Sequence, residues 1–212
     1  MDGSNPHAET RENSFDVHRA SQNVMLYGIL PLWIVPGFLD YLFHRKSSIQ
    51  TTSGTHESLI HAMQMTSIGI PTLMALLLEI NASVIATTIT ASVIHEALTL
   101  WDIAYAEPLR RPKPNEQHVH SFLEVLPVMA LTSLLTLHPG QTAALFGRGD
   151  ELPVWQLRAK RPPLSRRYVA GILAAVTTFM IAPYGEELLR CYRTDRTFSA
   201  HSKRAGDAPR SA

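Results

Sequence analysis

The chain has 212 residues, 45% of them apolar and 17% charged, with nineteen Lys and Arg against eighteen Asp and Glu. That length bounds one domain or two small ones, and a formal charge of +1 supplies no global field that would draw the protein to nucleic acid. Cys191 is the sole cysteine, which excludes an internal disulfide and a CxxC metal site.

The charges gather at the two ends and in two loops, and the stretches between them are almost free of charge. Residues 1–22 are polar, with no short apolar run leading to a small-residue cleavage site, so no signal peptide is expected. The apolar stretch 24–43 is long enough to cross a hydrocarbon core of roughly 30 Å, with kinks expected at Pro31 and Pro36. After a polar loop over 45–58, the stretches 59–79 and 82–101 predict a helical hairpin turning at Glu79 and Asn81.

The basic, proline-rich loop 107–115 follows, and Asn115 is the expected N-cap of a fourth helix that runs to about Leu137 and bends at Pro127. Residues 138–167 form a long connection. Its run RAKRPPLSRR (158–167) suits anionic lipid head groups or an ordinary basic loop. Residues 168–184 form a fifth apolar segment, either spanning or re-entrant. With all five spanning and the N-terminus outside, eleven Lys and Arg lie inside and eight outside, so charge bias hardly selects an orientation. The stretch GEELLRCYR (185–193) resembles the Glu-Glu pair of membrane CAAX-type proteases with a different arginine spacing, and reads as a helix end entering a tail.

No internal repeat is found, and no alternation at period two suggests a barrel. In lipid every backbone polar group must be paired within its segment. The expected class is therefore all-α: a polytopic membrane helical bundle of about five transmembrane segments, four of them forming a metal-binding bundle. The expected division is a polar N-terminal segment over 1–22, a transmembrane domain over 23–190 and a disordered tail over 191–212.

Ionisable groups in or at the mouths of apolar segments are informative, since each costs about 2.5–3.5 kcal/mol at a bilayer centre and needs a partner. Asp40 and His44 close the first segment, Glu57 and His61 open the second, His95 and Asp102 end the third, and Glu116, His120 and Glu124 open the fourth. The alternating direction of the segments puts all four groups at one face of the membrane. Spacings of four and seven residues place the members of each group on one helix face. His118 and Glu96 are out of phase, while Trp33 and Trp101 read as interface anchors or packing.

A mixed shell of imidazoles and carboxylates suits iron, manganese or zinc. Nine phase-matched candidates exceed the three or four protein ligands of a single zinc ion, so two metal ions are the natural reading. Soluble four-helix proteins build di-iron sites from similar Glu and His sets.

The stretch DIAYAEPLRRPKPNEQHVHSFLEVLP (102–127) resembles a group of small bacterial polytopic membrane proteins. It is more distantly similar to the histidine-rich segments of membrane-bound di-iron lipid desaturases and hydroxylases, especially the plasmanylethanolamine desaturase type. The resemblance covers about a quarter of the chain and maps onto Glu116, His118, His120 and Glu124, without an HxxHH or HxxxH box. It implies two iron ions, oxygen-dependent chemistry on a lipid or other apolar substrate, an electron-donor protein as partner and a bacterial inner-membrane location. Two other readings stand beside it: a b-type haem electron-transfer protein with axial ligands among His44, His61, His95 and His120, and a metal or proton transporter.

Overall fold

The structure, a computed structural model, describes residues 16–206. Five long helices are long and apolar enough to cross a membrane. α1 spans Asp16–Ser47, α2 Gly54–Leu77, α3 Ala82–Ala106 and α4 Pro114–Leu137. A short helix, α5, covers Pro139–Leu145, and α6 runs over 166–206. Among the described residues there is no strand, and Leu78 and Ala159 form an isolated bridge. The protein is an all-α polytopic bundle, as its apolar runs require.

Large apolar side chains such as Leu32, Val35, Ile70, Val93 and Leu100 point outward and are half or more exposed. On a water-soluble surface they would form an adhesive patch; against acyl chains they are the expected surface. Inside, α2 and α3 form the hairpin, α6 packs on α2 and α1, and α4 packs on α1 and α3. The hairpin turn is capped by buried Asn81, whose side chain accepts from the Val84 N–H at 3.2 Å and donates to the Gln156 carbonyl at 2.7 Å.

The proline effects fall where chemistry puts them. Turns of π-helix at Met25–Ile29 and Thr177–Ile181 each end two residues before a proline, Pro31 and Pro183. A proline ring displaces the carbonyl four residues earlier and offers no N–H, and the widened turn absorbs both defects.

Several expected boundaries move. The loop 45–58 contracts, because α1 continues to Ser47 and α2 begins at Gly54, where a φ of +65° suits only glycine. α4 begins at Pro114 with Lys113 at the cap position, displacing the expected Asn115, since proline fits the first helical turn. Residues 16–22, expected to be part of a polar segment, already belong to α1, and residues 1–15 lie outside the described residues.

The expected disordered tail from 191 is also corrected. α6 continues to Gly206, and residues 207–212 lie outside the described residues. Cys191 is fully buried, Arg190 pairs with Glu186 at 3.2 Å and also donates to Gln50, and Asp195 accepts from Thr55. These contacts fix a segment whose composition alone suggests none.

Loops 48–53 and 107–113 lie at one end of the bundle and the 146–165 connection at the other. In a chain with Cys191→Ser, Thr52→Cys and Lys113→Cys should react with an impermeant maleimide from the same side of sealed vesicles, and Asp150→Cys only from the opposite side.

Candidate metal centre

At the end of the bundle where α1 and α3 finish and α2 and α4 begin, ionisable side chains converge. Asp40 and His44 stand one turn apart on α1, with His44 Nε2 3.5 Å from Asp40 Oδ2. Glu57 and His61 repeat this spacing on α2 at 3.9 Å. Asp102 reaches in from α3, its Oδ2 3.1 Å from His61 Nε2, and Glu116 from α4 lies 3.7 Å from His44 Nε2. All six side chains are buried.

The centre of the group is Glu187, on α6. Its Oε2 lies 3.2 Å from His44 Nδ1 and its Oε1 3.3 Å from His61 Nδ1, so one carboxylate spans two imidazoles. The residue is 0% exposed. Sequence reasoning assigned GEELLRCYR to a helix end and so missed a fifth helix in a site expected to have four. The signal was present: counted along a continuous helix from Arg166, Glu187 falls near the same membrane end as the other groups.

The two rings are stacked, with centroids 4.6 Å apart and planes 11° apart. His44, His61 and Glu187 can place one donor atom each within 4.8 Å of one another, and so can Glu57, His61 and Asp102. His61 belongs to both triads, presenting Nδ1 to one and Nε2 to the other.

The remaining expected ligands sit further out. His120 Nδ1 is 3.7 Å from Asp40 Oδ1, but its side chain is 22% exposed; Glu124, 3.8 Å from His120 Nε2, is 36% exposed. His95 does not join the cluster. It lies deeper on α3, with Nδ1 3.3 Å from the Gln64 carbonyl and 3.4 Å from Ser67 Oγ. The seven-residue spacing from Asp102 shares a face but adds about 10 Å along the axis, which separates the two. His118, Glu96 and His56 point outward, the last against Tyr105 and Trp101.

Arg110 supplies the positive charge. From the 107–113 loop it donates through Nε to both oxygens of Glu57, at 3.0 and 3.1 Å, and through its terminal nitrogens to Glu57 and Glu116. Burial works against its charge, but the hydrogen bonds and fields of Glu57 and Glu116 hold it protonated far above the usual range. The loop that reads as a basic connection is therefore tied into the site.

Five buried carboxylates, Asp40, Glu57, Asp102, Glu116 and Glu187, face one guanidinium. With neutral imidazoles the group carries a formal charge of −4. Oδ1 of Asp40 and Oδ1 of Asp102 are buried without a hydrogen-bond donor. Protonating both histidines would still leave −2 and would stack two cations face to face. Like charges 4 Å apart repel by about 4 kcal/mol even at an effective dielectric of 20. Two donor atoms that each lie about 2.1 Å from one ion stand about 3–3.5 Å apart, close to many of the separations found here. The two triads therefore have the donor types and the spacing that a divalent cation requires.

An apolar cavity of about 160 Å³ opens beside the cluster. Asp40, His61, His120 and Tyr184 border it at the polar end, and Trp33, Ile68 and Met180 further along. Trp33 therefore lines the interior, where the sequence suggested an anchor or packing. Tyr184 is buried, with its hydroxyl 3.1 Å from both Asp40 Oδ2 and the Gly37 carbonyl, which share its single proton.

Fold and site together define an integral membrane helical bundle with a buried imidazole and carboxylate cluster. Comparison with protein-family models, curated proteins and solved structures gives no match, so its geometry alone carries the functional reading.

Removing Arg110 while its partners stay should destabilise the protein strongly. Arg110→Met is expected to cost about 3–5 kcal/mol, the range for breaking a buried ion pair, measured by denaturant unfolding in detergent micelles. Adding Glu116→Gln should recover part of that loss.

Proposed function

We propose that this protein is a membrane-embedded oxidoreductase with a two-metal centre, most simply two iron ions, acting on a lipid or other apolar substrate. The observation that carries this reading is the convergence of five buried carboxylates and two stacked imidazoles on a single guanidinium, a formal charge of −4 with all five acids ionised, which two divalent ions would neutralise. When bound, iron would supply oxygen-dependent redox chemistry; the donor set suits manganese and zinc as well, and zinc has no redox chemistry of its own.

The chain's own residues divide the remaining work. Glu187 holds the two imidazoles at a fixed separation. Arg110 orients Glu57 and Glu116 and offsets part of their charge. Asp40 and Asp102 each keep a buried oxygen free to act as a ligand atom. Tyr184, bonded to Asp40 and facing the cavity, is placed to pass a proton between the cluster and a bound substrate. The apolar wall keeps water from the reacting carbon. An electron-donor protein would approach from the end carrying the 48–53 and 107–113 loops, which lies nearest the cluster.

The haem reading fares less well. Axial imidazoles must approach an iron from opposite faces of the macrocycle, whereas His44 and His61 lie face to face and share Glu187. A transporter would need polar groups through the membrane, and the cavity beyond the cluster is lined mainly by apolar side chains.

Metal analysis of detergent-purified protein tests the proposal. Two iron ions per chain are expected, falling to less than half that content in Glu187→Ala and His61→Ala and remaining unchanged in His118→Ala. Protein that binds no transition metal, or that shows a Soret band with no non-haem iron, would overturn it.

A further inference from the structure

A second cavity, of about 620 Å³, occupies the other half of the bundle. It shares Leu30, Trp33, Ile68, Thr72 and Leu76 with the cavity beside the cluster, so the two adjoin along α2. Its far end is not apolar. Lys160 and Arg161, from the 146–165 connection, border it with His138, Gln22 and Glu79.

Lys160 is half-buried, and its ammonium donates to the Ala75 carbonyl at 2.6 Å. Among the described residues no carboxylate lies within ion-pair distance of it, Glu79 included. Burial lowers the ammonium's pKa, which a nearby anion would reverse. Burial, with Lys160 and His18 alongside, holds His138 down to about 4, so that imidazole is neutral near pH 7 and adds no competing cation. A cation at the mouth of an apolar cavity, with no acid to pair it, matches an anionic head on an apolar chain.

The length of the passage narrows the ligand further. Ala75 and His61 are fourteen residues apart on α2, about 21 Å along the axis. An amphiphile anchored at Lys160 must therefore have a long chain to reach the cluster. The two cavities meet at only a few side chains, Trp33 and Thr72 among them, and the cavity beside the cluster, at about 160 Å³, holds part of one chain rather than two.

We propose that the joined cavities hold a single-chain anionic amphiphile, a long-chain carboxylate, with its head group on Lys160 and Arg161 and the far part of its chain beside the His44, His61 and Glu187 cluster. This names the substrate class of the centre proposed above and rests on that reading. Reaction would fall remote from the head group.

Quenching of Trp33 by chain-brominated ligands tests the proposal without using activity or metal. In a Trp101→Phe, Trp155→Phe background Trp33 is the remaining tryptophan. A long-chain brominated carboxylate should quench it saturably, and Lys160→Met should weaken binding about tenfold, the loss expected for one charge-assisted hydrogen bond. Lys160→Arg should retain most of the affinity, and Thr72→Phe should abolish quenching by filling the stretch that the two cavities share. The methyl ester should bind weakly and ignore the Lys160 change, and a short-chain carboxylate should not quench.

Equal quenching by acid and ester, quenching by a brominated diacyl phospholipid alone, or none at all would overturn the proposal. Metal content measured on the same samples separates the two readings. Lys160→Met should retain full metal, whereas protein that binds the carboxylate without any metal would refute the centre and leave the binding site standing.

Discussion

The arrangement of this protein depends on negative charge held out of water. Five carboxylates are buried at one end of a membrane bundle, and Arg110 is the cation that answers two of them. A charge in such surroundings must be paired, neutralised or coordinated. Each long helix contributes to the resulting cluster, so it determines how all five pack.

The bundle end and its apolar interior complement one another. At the polar end, side chains from α1, α2, α3, α4 and α6 are locked by contacts of 3.1–3.9 Å. Beyond them the cavity beside the cluster is walled mainly by apolar side chains, and the adjoining one becomes polar towards Glu79, His138, Lys160 and Arg161. One end concentrates imidazoles and carboxylates and the other presents cations. In the proposed reading that polarity matches a substrate charged at one end and reactive near the other.

Much of the fold was legible because bilayer physics leaves few choices. Long apolar runs must be helices, and alternating direction put Asp40, His44, Glu57, His61, Asp102 and Glu116 at one face. What the sequence hid was longer-range. Glu187 sits in a charged stretch whose average composition resembles a tail, and only docking of α6 on α2 buries it. Arg110 looks like one of three cations in a proline-rich loop, and its role depends on where Glu57 and Glu116 end up in space. His95 shares Asp102's helix face but not its depth, a distinction that periodicity alone does not draw.

Glu187 also bears on the protein's biogenesis. The carboxylate that joins the two imidazoles lies on α6, which is made after the helices that carry His44 and His61. Until that helix inserts, His44 and His61 lack the group that spans them, and a nascent chain holds only a partial set of donors. Closure of the cluster therefore waits on insertion of α6, and a product misinserted there would lack the carboxylate that joins the two rings.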